Sequence, residues 1–93
     1  MEQTKPFDPA RYLTSHEAQQ ELLSDAFASG NAAYIADALG TIARARGMTE
    51  VARTAGVTRE ALYKALSEDG DPRLTTLLGV ARALGVTLTA RLD

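Results

Sequence analysis

The segment from Met48 to Leu66, MTEVARTAGVTREALYKAL, constrains the fold of this chain more than any other part of the sequence. Gly56 interrupts its helical pattern at a point where a turn with positive φ is expected, and a β-carbon there would be strained. Ala52 is small enough to let a second helix cross close over the first. The residues on the inward faces are all apolar: Val51, Ala55, Val57, Leu62 and Ala65. The segment therefore predicts two short helices at a steep angle, joined by a short turn.

Capping residues and glycines predict two more helices before this pair. Thr14 is expected to form a capping box with Glu17 and to open a first helix over residues 14–29. Asn31 is expected to cap a second helix, and Gly47 to end it. The second helix has one apolar face, formed at helical spacing by Ile35, Ala38, Leu39, Ile42 and Ala43.

The same signals divide the remaining sequence. Thr49 is expected to start the third helix and Gly56 to end it, and Thr58 is expected to cap the fourth. Asp71 is a suitable N-cap for a fifth helix, with Pro72 in its first turn. The predicted buried face of this helix comprises Leu74, Leu77, Leu78, Ala81 and Leu84. The predicted fold is thus all-α, a five-helix domain over residues 14–93.

Both ends of the chain lack helical periodicity. Residues 1–13 contain two prolines and are interpreted as an extended arm. Residues 86–92 alternate apolar and polar side chains, which predicts a short C-terminal β-strand. A lone strand needs a partner, so we expect it to pair with the same strand of a second copy or with another protein's sheet. The residues expected at a homodimer interface are Val86, Leu88, Ala90 and Leu92; the alternative is a frayed tail.

The exposed face of the fourth helix suggests DNA binding. Such a helix pair leaves one face of its second helix free to enter the major groove. Arg59 and Lys64 suit guanine or phosphate, and Tyr63 suits a thymine methyl group or a phosphate. The candidate DNA-binding residues are Thr49, Glu50, Arg53, Thr58, Arg59, Glu60, Tyr63, Lys64 and Arg73. The alternative is a structural helical hairpin that does not bind DNA.

Charge is unevenly distributed along the chain. Residues 1–43 carry two basic and six acidic side chains, a balance of −4. Residues 44–73 carry six basic and five acidic side chains, a balance of +1. This asymmetry suggests two surfaces with different partners, although acidic residues that merely solvate helix faces would give the same pattern.

Composition argues against several other classes of protein. The chain has no cysteine and one histidine, His16, so neither a zinc site nor a nucleophilic triad is expected. We therefore expect no enzyme activity, no metal and no cofactor. The sequence also shows no membrane-spanning apolar run, and MEQTKPFDP does not resemble a signal peptide. The expected location is the cytoplasm.

The segment ALGTIARARGMTEVARTAGVTREALYKALSEDGDPRLTTLLGVARALGVTLTARL resembles the lambda-repressor-like (XRE-type) helix-turn-helix superfamily. More closely, it resembles the HigA-like addiction-module antidote proteins, which are antitoxins partnered with RelE/HigB-like toxins. FDPARYLTSHEAQQELLSDAF resembles the N-terminus of that subfamily, so the likeness covers roughly residues 7–92. One departure is Glu50, at a position that is often glutamine in such proteins.

The resemblance implies the antitoxin of a type II toxin–antitoxin module. Such a protein binds and neutralises a ribonuclease toxin, and as a dimer it binds double-stranded operator DNA to repress its own operon. The acidic N-terminal half, with the arm and first helix, would cover a basic toxin; the candidate residues are Phe7, Tyr12, Leu13, Leu22, Leu23 and Phe27. The alternative is a stand-alone XRE-type transcriptional regulator without a toxin partner. A third interpretation is a protein-binding module that has lost DNA binding.

Overall fold

The computed structural model describes residues 15–93 and folds them into five α-helices. They are α1 (His16–Ser29), α2 (Ala32–Arg46), α3 (Met48–Ala55), α4 (Arg59–Ala65) and α5 (Leu74–Leu84). The predicted all-helical class and the number of helices are confirmed for these residues. The predicted arm, residues 1–13, lies outside the described part of the chain. No helix within residues 15–93 is long and apolar enough to cross a membrane.

Two of the predicted N-caps are confirmed. The Asn31 side chain accepts a hydrogen bond from the backbone N–H of Tyr34 at 2.9 Å and so begins α2. The Thr58 hydroxyl accepts from the N–H of Ala61 at 3.0 Å and begins α4. Each bond satisfies one of the N–H groups that the first turn of a helix leaves without a partner.

The cap of α1 lies one residue later than the sequence predicts. Ser15 has an extended backbone, with φ −86° and ψ 149°, and its hydroxyl accepts from the N–H of Ala18 at 3.0 Å. The predicted partner of Glu17 in a capping box, Thr14, lies outside the described residues, and Ser15 is the N-cap of α1. Thr14 and Ser15 are adjacent and both suited to capping, so residue type alone does not distinguish between them.

Two other helices begin without a side-chain cap. Thr49 does not start α3, because the helix already begins after Gly47 and places Thr49 inside its first turn. The prediction of Asp71 as N-cap and Pro72 as the first helical residue of α5 is also wrong. Arg73 is the N-cap of α5, and its ψ of 156° keeps the preceding loop out of the helix.

One hydrophobic core joins the described helices. α3 packs most extensively against α5, α1 packs against α2, and α2 also contacts α3 and α5. The buried core residues are Leu23, Leu39, Ile42, Ala43, Met48, Val51, Ala52, Leu62, Leu66, Val80 and Leu84. Every helix contributes to this set, so the packing fixes α3 and α4 against the rest of the domain.

Two glycines allow helices to approach closely. A Cβ added at Gly79 of α5 would lie 2.8 Å from the Ala55 Cα of α3. A Cβ added at Gly40 of α2 would overlap the carbonyl oxygen of Leu66, at the end of α4. At both positions a Cβ would be closer than van der Waals contact to its neighbour. These two helix crossings therefore require glycine, which has no Cβ.

The buried face of α5 differs from the predicted one. Leu74 and Leu78 were expected in the core but are 68% and 46% exposed. Val80, which was not predicted, is fully buried, together with Ala81 and Leu84. The close contact between Gly79 and α3 explains the difference, because it turns the side of α5 around residues 79–81 toward the core and Leu74 and Leu78 away from it.

The predicted strand over residues 86–92 is absent, and no strand occurs within residues 15–93. A β-ladder needs a second strand, and the described part of the chain supplies none. The N–H of Val86 instead donates to the carbonyl of Ala81 at 2.8 Å, which closes the end of α5. Val86 and Leu88 are half-buried, whereas Ala90 and Leu92 are exposed, Leu92 at 98%.

Candidate nucleic-acid interface

α3 and α4 are joined by three residues, Gly56, Val57 and Thr58. Gly56 is left-handed, with φ 77° and ψ 29°, as expected for the turn. The N–H of Val57 donates to the carbonyl of Ala52 at 3.1 Å, which holds the turn against the end of α3. The two helices therefore meet through a short, hydrogen-bonded connection and present a continuous outer surface.

All nine side chains predicted to contact DNA belong to exposed residues. Eight of them lie on α3, on α4 or at the α4 N-cap, and Arg73 is the N-cap of α5. None of the nine belongs to the core, whereas Val51, Ala52 and Leu62 of the same two helices are buried in it. The core residues and the predicted DNA contacts of α3 and α4 thus lie on opposite sides of the helix pair, and the polar side is open to solvent. We call the exposed polar side of α3 and α4 the outer face.

A salt bridge links two residues of the outer face. Arg53 Nη2 donates to Glu50 Oε2 at 2.6 Å within α3, and both side chains remain largely exposed, at 71% and 67%. Sequence reasoning treated Glu50 as a candidate DNA-binding residue and missed this pairing. The signal was present, because a glutamate and an arginine three residues apart lie on the same face of a helix.

A cation–π contact links two more residues of this face. The guanidinium carbon of Arg59 lies 5.6 Å from the centroid of the Tyr63 ring, one helical turn further along α4. This distance is within the range of about 6 Å over which a cation is attracted to an aromatic ring. Both residues are exposed, so the guanidinium of Arg59 remains open to solvent.

The surface also contains unpaired acidic groups. Glu60 lies in the first turn of α4, and Glu68, Asp69 and Asp71 lie in the loop after it. All four residues are exposed, and none forms an ion pair with another residue in the range 15–93. Glu50 therefore differs from these four acidic residues, because it forms an ion pair with Arg53.

The residues predicted to bind a toxin are distributed differently. Phe7, Tyr12 and Leu13 lie outside the described residues. Leu23 is buried in the core, and Leu22 is half-buried against it. Phe27 is exposed and borders a groove of about 520 Å³ between α1 and residues 84–89. Among the described candidates, Phe27 thus provides the accessible aromatic surface.

Residues that could bind a metal are not grouped in the described part of the chain. His16 is exposed at the start of α1. Within residues 15–93 no three histidine or carboxylate side chains are grouped as metal ligands would be.

Comparisons with known proteins identify relatives of this chain. The sequence model of a family described as "probable addiction module antidote protein" matches residues 3–92. A protein of Haemophilus influenzae, described as an uncharacterized protein, is 48% identical over 85 residues, which are 91% of this chain and 88% of that protein. No solved structure matches significantly.

Proposed function

This chain belongs to the family of probable addiction module antidote proteins, and on that premise we propose that it is a HigA-like antitoxin of a type II toxin–antitoxin module. The family implies a toxin partner of some kind. We propose that this partner is a RelE/HigB-like ribonuclease and that the antitoxin also represses its own operon. Both activities are binding events without catalysis, and both belong in the cytoplasm.

The DNA-binding part of the proposal rests on one observation. α3 and α4 direct their apolar residues into the core and expose all eight of their predicted DNA contacts. In the proposed complex α4 lies in the major groove as the second helix of an XRE-type helix-turn-helix. Lys64 and the arginines then contact phosphates or guanine, and a homodimer reads two half-sites.

A pair of matched charge variants tests this proposal. Lys64→Ala and Arg82→Ala each remove one exposed cation, but Arg82 lies in the last turn of α5, outside the outer face. With DNA from upstream of the gene, Lys64→Ala should weaken binding by about 1–3 kcal/mol if it contacts a base. If Lys64 instead contacts a phosphate, Lys64→Ala should release about one counterion fewer on binding, which lowers the salt dependence of the affinity. Equal effects of the two variants would contradict the assignment of α4 as the recognition helix.

The toxin-binding part of the proposal places the partner on α1. The residues Glu17, Glu21 and Asp25 of this helix are exposed, and Phe27 adds an exposed aromatic ring. A ribonuclease that binds RNA needs a basic surface, which is complementary to this acidic helix. Aromatic side chains at the centre of an interface often dominate its affinity, so Phe27 is the proposed anchor.

Phe27→Ala tests this surface without disrupting the fold. Deleting all of residues 1–30 would remove Leu23 and Ala26 from the core, so a single exposed substitution is the sharper experiment. Phe27→Ala should weaken toxin binding by about 2 kcal/mol or more if it is a hot spot, and should leave DNA binding unchanged. Lys64→Ala is the reciprocal control. Unchanged toxin affinity in Phe27→Ala would refute the α1 interface.

The alternative is a stand-alone XRE-type regulator. It is favoured by the burial of Leu23 and Ala26, because α1 then has a role in completing the fold that needs no toxin partner. Co-expression with the product of the neighbouring gene distinguishes the two functions. An antitoxin forms a stable complex with that product and restores the growth of cells that express it, whereas a stand-alone regulator does neither.

A further inference from the structure

We infer that Glu50 and Tyr63 are positioning residues that hold the guanidinium groups of Arg53 and Arg59 for contact with DNA. The inference rests on the DNA-binding function proposed above and assigns separate roles within its binding surface. Arg53 contacts a phosphate and Arg59 reads a guanine, while their helical neighbours keep each guanidinium in place. Neither Glu50 nor Tyr63 needs to touch the DNA itself.

The Glu50–Arg53 salt bridge holds the guanidinium in place and leaves most of its N–H donors free. One guanidinium nitrogen, Nη2, donates to Glu50 Oε2 at 2.6 Å. A guanidinium has five N–H donors, so several remain for a phosphate. Because both side chains are largely exposed, the pair contributes little to folding. Its main effect is to restrict the rotamers of Arg53 before DNA arrives, which lowers the entropy lost on binding.

The ring of Tyr63 likewise holds the guanidinium of Arg59 in place. Arg59 is the first residue of α4, where recognition helices usually meet base edges. A guanidinium held over a ring at this distance still presents N–H groups to solvent. These N–H groups match the O6 and N7 acceptors of guanine in the major groove. The Arg59–Tyr63 pair therefore suits base recognition, whereas the ion-paired Arg53 on α3 suits the backbone.

The role of Glu50 is tested by whether Glu50→Ala weakens or tightens DNA binding. Removing a carboxylate from a surface that faces phosphates should tighten DNA binding if the carboxylate only repels. Glu68→Ala is the matched control, because Glu68 is exposed and makes no ion pair within residues 15–93. The probe is a duplex that the wild-type protein selects from a random DNA pool. We expect Glu68→Ala to bind equally or more tightly, and Glu50→Ala to bind about two- to fivefold more weakly.

A double variant separates positioning from direct contact. If Glu50 acts only through Arg53, Glu50→Ala should not weaken binding any further in an Arg53→Ala background. The effect of Glu50→Ala should also be similar for specific and non-specific DNA, as expected for a phosphate contact. Tighter binding by Glu50→Ala, or a full additional loss in the double variant, would overturn the positioning role.

Tyr63 is tested by keeping or removing its ring. Tyr63→Phe should preserve the guanine preference, because the ring remains, whereas Tyr63→Leu should reduce that preference by several-fold. In an Arg59→Ala background Tyr63→Leu should have no further effect on base preference. Equal losses in Tyr63→Phe and Tyr63→Leu, or a loss that persists without Arg59, would assign a direct DNA contact to Tyr63 and overturn this role.

Different results would contradict the proposed DNA-binding function and the positioning inference. If the wild-type protein selects no DNA from the pool, the proposed DNA-binding function fails. If it binds DNA but Glu50→Ala behaves like Glu68→Ala, only the positioning inference fails. Thermal unfolding of each variant verifies that these exposed substitutions leave the fold intact.

Discussion

A side-chain hydrogen bond between Tyr34 and Asp25 joins α1 to α2 at the surface of the molecule. The Tyr34 hydroxyl donates to Asp25 Oδ2 at 2.6 Å. This bond, together with partial desolvation and repulsion between tyrosinate and carboxylate, raises the pKa of Tyr34 above its usual value of 10.0. A group whose pKa is higher in the folded than in the unfolded state stabilises the fold below the unfolded pKa. That contribution is lost as the pH rises through the folded pKa.

Tyr34→Phe should therefore be less stable than the wild type at neutral pH. The difference should shrink as the pH rises above 10, because tyrosinate can no longer donate to Asp25. Urea unfolding of both proteins across this pH range measures the effect, and any alkaline loss common to both cancels in the comparison. A difference that stays constant with pH would show that the hydroxyl acts through something other than this hydrogen bond.

Gly79 should be among the least tolerant positions of α5. Gly79→Ala places a Cβ 2.8 Å from the Ala55 Cα, so α5 must move away from α3. Overpacking of this kind costs about 1–3 kcal/mol, which exceeds the roughly 1 kcal/mol that alanine contributes in helix propensity. Thr75→Ala, at an exposed position of the same helix, should be neutral or stabilising. If chemical denaturation gives both variants the same free energy of unfolding, the close helix crossing is not a constraint.

At the scale of the helices, the cap of α4 gives another measurable effect. Thr58→Ala removes the oxygen that accepts from the Ala61 N–H, which should cost about 1 kcal/mol of stability. Thr58→Ser retains the hydroxyl and should retain most of the stability. Thermal melting of the two variants compares them directly. Equal melting temperatures would mean that the hydroxyl does not stabilise the start of α4.

Local signals predicted helices better than they predicted helix faces. Asn31 and Thr58 were found because an isolated capping residue before an apolar repeat is a strong signal. In α5, by contrast, apolar residues occur on most sides, and Leu74, Leu78 and Val80 all fit some helical stripe. Only the contact of Gly79 with α3 decides which stripe is buried. Sequence periodicity does not contain that tertiary information.

The exposed residues of the outer face could be predicted from the sequence, whereas the buried face of α5 could not. α3 and α4 have clearly separated apolar and polar sides, so the exposed residues followed from periodicity. The contacts that organise Arg53 and Arg59 depend on rotamers, which spacing alone permits but does not specify. The alternating pattern of residues 86–92 showed what the segment is suited to form, but a strand also needs a partner that the described chain does not supply.

At the scale of the whole molecule, the C-terminus tests the proposed homodimer. Truncation after Leu88 removes residues 89–93, which are all exposed, and keeps the half-buried Val86 and Leu88. The helical fold should therefore persist, while Ala90 and Leu92, two of the four residues expected at the dimer interface, are lost. We expect the full chain to have the mass of a dimer by light scattering and the truncated chain that of a monomer. A truncated dimer would place the main interface elsewhere.

The separation of the outer face from the core has a consequence for evolution and for engineering. Because its polar side chains lie outside the core, substitutions there should usually change stability by less than about 0.5 kcal/mol. Thr58, the cap of α4, is the exception. Under the proposed function, the DNA sequence that this face recognises is then free to diverge while the scaffold stays constant. Duplicated copies in one genome would thereby acquire separate targets without cross-talk, and a library randomised at Arg59, Tyr63 and Lys64 would consist mainly of folded proteins.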